Sequence, residues 1–72
     1  MLIIKKLSRM IKEEIGDAEK YARCAIEHKE TDKALAETFY TLANEELKHM
    51  NMLHEQVARL INEYRQKKGE PP

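Results

Sequence analysis

The chain has 72 residues, 36% of them charged, with 13 basic and 13 acidic side chains and a formal net charge of zero. That balance suggests neither a nucleic-acid nor an anionic-membrane partner. No apolar run is long enough to span a bilayer. Cys24 is the only cysteine, so no internal disulfide forms and a reduced, cytoplasmic setting is the default expectation.

Met1-Leu2-Ile3-Ile4 is too short for a signal-peptide core, and Lys5 and Lys6 follow it instead of preceding it. Both prolines fall at the last two positions, and the glycines are Gly16 and Gly69. With so few breakers the chain reads as all-α, one helical hairpin over residues 1–67. Helix one is expected from about residue 2 to about residue 29. Its apolar seam runs Ile4, Leu7, Ile11, Glu14, Ala18, Tyr21, Ala25, His28, and a stripe of Ile15, Ala22 and Ile26 widens it. One carboxylate, Glu14, interrupts this seam. Gly16, two residues on, either permits a close helix approach or is a tolerated surface glycine.

Residues 30–32 form the expected turn, with Thr31 and Asp32 both good N-caps. So short a link makes the helices antiparallel neighbours. Helix two is expected over about 33–67. Its seam is Leu35, Phe39, Leu42, Glu46, His49, Leu53, continuing through Val57, Leu60, Ile61 and Tyr64. Residues 68–72 read as a glycine stop and a flexible tail. A single core of this size rarely supplies more than about 3–5 kcal/mol, and two helices leave much of their apolar faces wet. Self-association is therefore expected on stability grounds alone.

The seam of helix two carries Glu46-x-x-His49 at two consecutive core places. A carboxylate is rarely buried unless paired or bound to metal. Taking Thr31 as the turn, Glu14 lies 17 residues before it, and Glu46 and His49 lie 15 and 18 after it. Equal distance from the turn means equal height in an antiparallel pair. The three residues should meet at one level, as two oxygen-type ligands and one imidazole. A second copy related by a two-fold axis would add three more, giving four carboxylates and two imidazoles. Such mixed ligation suits iron or manganese and does not exclude zinc. Two cations about 3.5–4 Å apart would balance the negative charge; without them some carboxylates must take up protons.

Glu14-x6-Tyr21 followed by Glu46-x-x-His49 resembles one half of a ferritin-like or rubrerythrin-like di-iron bundle. The text from Ala36 to His49 has the same flavour. Two helices per chain most resemble the encapsulated-ferritin type, in which two chains build one site. The resemblance implies ferrous iron oxidation by dioxygen or peroxide at a homodimer interface, a ferroxidase-type activity with two irons per dimer. Glu14, Glu46 and His49 of each chain would be the ligands, and Tyr21 a hydrogen-bonding or redox neighbour. Glu13 matches an acidic position that helps admit iron. Two features depart from the pattern. Gly16 stands where another such carboxylate is expected, and Glu70-Pro71-Pro72 does not look like a peptide that docks in an encapsulin shell. A ring of dimers is the larger assembly the resemblance allows.

The plainer alternative is a buried polar cluster that fixes the register of a coiled-coil dimer. A metal that only staples the dimer is a third reading. Tyr21, taken by itself, is a core aromatic. His28 caps the turn or is solvated, and His54 is on the surface. Met10, Met50 and Met52 fill core or interface. Cys24 is a packed thiol, and Glu45 points away from the site.

Overall fold

A computed structural model describes residues 2–67 and 69. Two helices, α1 (Leu2–His28) and α2 (Lys33–Lys67), form an antiparallel hairpin, so the all-α expectation holds. The molecule is a rod of 58 × 17 × 12 Å. Its length is close to the roughly 52 Å that the 35 residues of α2 span at 1.5 Å each.

The turn is closed by backbone and side-chain hydrogen bonds. The His28 carbonyl accepts from the Asp32 amide at 2.8 Å and the Thr31 amide at 3.2 Å. These satisfy a terminal carbonyl of α1. Of the two candidate caps, Asp32 is the one used: its Oδ1 accepts from the Leu35 amide at 3.1 Å, and its carbonyl accepts from Ala36. His28 Nδ1–H donates back to the Cys24 carbonyl at 2.9 Å, a capping part in the last turn of α1. At the other end, Gly69 has φ +74° and its amide donates to the Gln66 carbonyl. That left-handed conformation is cheap for glycine alone and stops the helix. The tail expected over 68–72 otherwise lies outside the described residues.

Both inner ridges alternate steps of three and four. On α1 the ridge follows the expected seam from Ile4 to His28. On α2 it differs by one residue at three places. Ala43 is buried where Leu42 was expected. Ala36 is buried where Leu35 was expected, and Leu35 is 38% exposed. Met50 takes the inward place expected for His49, which lies at the edge of the interface. One residue is 100° around a helix, so the shift moves a side chain from the ridge to its flank. The reason is the alanine content. Ala18, Ala25, Ala36 and Ala43 are the buried apolar residues among those described. By register Ala25 meets Ala36, and Ala18 meets Ala43. Small facing residues let two helix axes approach closely, and that approach sets the phase of the ridge. Tyr21 stacks on Phe39 between these layers (centroids 6.3 Å apart), and His28 lies 6.0 Å from the same ring.

Gly16 is a surface glycine: a Cβ there would meet nothing within 4 Å. The core is one side chain thick. Ile26 is 70% exposed and Tyr40 64%. None of the helices is long and apolar enough to cross a membrane.

Candidate metal centre

Toward the helix ends from the Ala18–Ala43 layer, register brings Glu14 of α1 opposite Glu46 of α2. One turn along α2, His49 turns toward both. Its Nδ1 is 3.6 Å from Glu14 Oε2 and 3.9 Å from Glu46 Oε1. One donor atom from each of the three residues lies within 4.8 Å of the other two. The structure thus brings together the three residues that the sequence singled out. Two donors bound at about 2.0–2.2 Å to one ion are separated by no more than about 4.4 Å. Both measured imidazole–carboxylate distances fall inside that limit.

The electrostatics are unbalanced. Glu14 Oε2 is buried and has no hydrogen-bond partner, a costly state for a carboxylate oxygen. The Glu46 carboxyl is held above the usual carboxylate range, first by hydrogen bonding with the Glu14 carboxyl. Desolvation and the charge of Glu14 push it the same way, and Asp17 adds to them. His49 opposes the shift. Two carboxylates facing one another cannot both ionise freely unless a cation joins them. Two facing carboxyls, one with an oxygen that lacks a hydrogen bond, and an imidazole nitrogen form a donor set that fits iron or manganese.

Tyr21 is not brought to this cluster. It lies seven residues from Glu14, about 10 Å along the axis, in the aromatic layer with Phe39. Glu13 and Glu45 are exposed beside Glu14 and Glu46 in sequence. His54 is exposed, and Cys24 is a half-buried free thiol. Asp17, three residues after Glu14 on the same helix, was not singled out in the sequence; its charge adds to the upward push on the Glu46 carboxyl.

Comparison with protein-family models, with curated proteins and with solved structures found no match. The chemistry of the cluster therefore carries the functional reading. A second concavity, an apolar groove of about 540 Å³ lined by Ala22, Ile26, Lys29 and Tyr40 among others, lies on the opposite flank of the hairpin.

Proposed function

We propose that the chain binds a pair of metal ions, iron first, where two copies meet in a ferritin-like four-helix bundle, and that ferrous iron is oxidised there. The observation that supports this most is the orphaned Glu14 Oε2, facing a carboxyl and an imidazole contributed by the other helix. One chain offers three donors, and a two-fold copy would double them. Glu14 and Glu46 would hold and neutralise the cations, while His49 Nδ1 supplies a neutral donor. Bound as a pair, two ferrous ions can each give up one electron, with dioxygen accepting both, together with two protons, and leaving as hydrogen peroxide. Exposed apolar side chains favour self-association, and those of Ile26 and Tyr40 do so on the flank opposite the cluster. A part for Tyr21 would require the ring of one copy to reach the cluster of the other.

Elemental analysis of protein purified without tag or chelator, with its mass in solution, tests the reading. About one iron per chain in a dimer or larger assembly is expected, followed by oxygen consumption when ferrous iron is added. A metal-free dimer that ignores iron, manganese and zinc would sink the proposal. One observation favours a second reading, a register-setting polar layer. The Glu46 carboxyl is pushed toward its protonated form by the facing Glu14, so a shared proton could relieve the pair without metal. In that case replacing Glu14, Glu46 and His49 together with leucine raises the melting temperature and removes no ligand. If metal is only a staple, stripping it dissociates the dimer.

A further inference from the structure

The zero net charge of the chain is an average over unlike parts. Residues 1–12 carry four cations, Lys5, Lys6, Arg9 and Lys12, and no acid, whereas acids outnumber bases from Glu13 to Glu37. Leu2, Lys5, Arg9 and Lys12 follow one another at steps of three, four and three, and Lys6 stands four after Leu2 and three before Arg9. That spacing gathers all five on one stripe of α1, turned away from the inner ridge of Ile4, Leu7 and Ile11. All five are exposed. The stripe is about 15 Å long at 1.5 Å per residue.

This stripe does nothing for the hairpin itself. None of the four cations forms an ion pair among the described residues. Lys5 and Arg9, Lys6 and Arg9, and Arg9 and Lys12 are like charges at helical neighbour spacing, which destabilises a helix. Lys5 and Lys6 also stand close to the positive end of the α1 dipole, in a helix whose first turn holds no acid. A second copy packed on either flank of the hairpin leaves the stripe uncovered, because it lies on the far side of α1 from α2. Beside the cations, apolar side chains stand in solvent: Leu2 is 86% exposed and Ile3 44%. A nucleic-acid backbone would answer the charge and offer nothing to Leu2. The surface of a bilayer with anionic lipid answers both, with headgroups for the cations and an apolar layer just beneath them. We propose that the outer stripe of the first three turns of α1 docks on an anionic phospholipid surface, with Lys5, Lys6, Arg9 and Lys12 against the headgroups and Leu2 dipping below them. The inference goes beyond the metal-binding reading and does not depend on it.

Co-sedimentation of the whole chain with vesicles tests this. At low salt the chain should pellet with vesicles of phosphatidylcholine mixed with phosphatidylserine, and not with phosphatidylcholine alone. At about 1 M salt, where the screening length is about 3 Å, it should be released. A basic residue near such a surface is worth about fivefold in binding, so Lys5→Gln with Lys6→Gln should weaken it by about 25-fold. Leu2→Ser should weaken it several-fold and leave its salt dependence unchanged. Lys20→Gln with Arg23→Gln, which removes the same charge farther along α1, should lose much less. Circular dichroism checks that each variant keeps the helical fold. Failure to bind the mixed vesicles at low salt, or equal binding to both kinds, would overturn the proposal. So would an equal loss in the two double variants, which would assign the attraction to overall charge. Tighter binding to mixed-sequence duplex DNA at the same salt would replace the bilayer with nucleic acid. A mass in solution that grows at low salt without vesicles, and no longer grows in Lys5→Gln with Lys6→Gln, would replace it with the acidic turn end of another copy.

Discussion

The half of the hairpin near the turn and the layer at its middle are built from the same two helices by opposite means. Near the turn every demand is met locally. Asp32 caps α2, His28 bonds the last turn of α1, facing alanines close the gap, and Phe39 lies between Tyr21 and His28. At the middle, Glu14 and Glu46 oppose each other with one oxygen unpartnered and one carboxyl pushed toward its protonated form. A chain selected only to fold would extend the first solution through the second. The contrast teaches that the isolated hairpin meets its polar demands near the turn and leaves one unmet at the middle layer.

The largest effect that could break this contrast is all-or-none. Glu46→Ala with His49→Ala should abolish binding of about two metals per dimer, read by elemental analysis, while circular dichroism stays helical. Retention of metal would show that the donors are elsewhere. Next, Ala18→Leu should cost about 1–3 kcal/mol in denaturant unfolding, because the close alanine layer has no room for three more carbons. If that variant is neutral, the alanines do not set the helix spacing. Asp32→Ala should cost about 1 kcal/mol through the lost cap, measured by thermal melting. Gly16→Ala should act in the opposite direction, stabilising by about 0.5–1 kcal/mol, since the added methyl meets open space. The subtlest signal is a slope. Glu46 has a folded-state pKa above its unfolded value. Its contribution to stability is therefore fully present below the ordinary carboxylate range and is lost as pH rises through the raised value. In chelator, the denaturation midpoint of the wild type should fall across that window relative to Glu46→Gln, in which the group no longer titrates. A rise would reverse the assigned sign.

Much of this was legible in the chain. Breaker positions and the Thr31-Asp32 pair marked the two helices, and equal distance from the turn placed Glu14 level with Glu46 and His49. The phase of α2 was not legible to one residue. Weighting leucine above alanine favours Leu35 over Ala36, yet the close approach of the helices selects the smaller side chain. The same error set His49 on the ridge when it stands at the flank, half exposed.

The short turn has a kinetic consequence. Closing it fixes few residues, and each later layer then forms by small increments of loop length, so the hairpin zips from Asp32 outward. The Ala25–Ala36 layer should form early and the Glu14–Glu46 layer only at mid-course, after the alanines have brought the backbones together. The two carboxylates are thus pressed against each other late, when the growing helix pair already restrains them. Asp32→Ala should accordingly slow refolding more than it hastens unfolding, the mark of a residue whose contacts exist at the barrier. A cation arriving at mid-course would meet a site that is still closing, and would lock the remaining half of the zipper behind it.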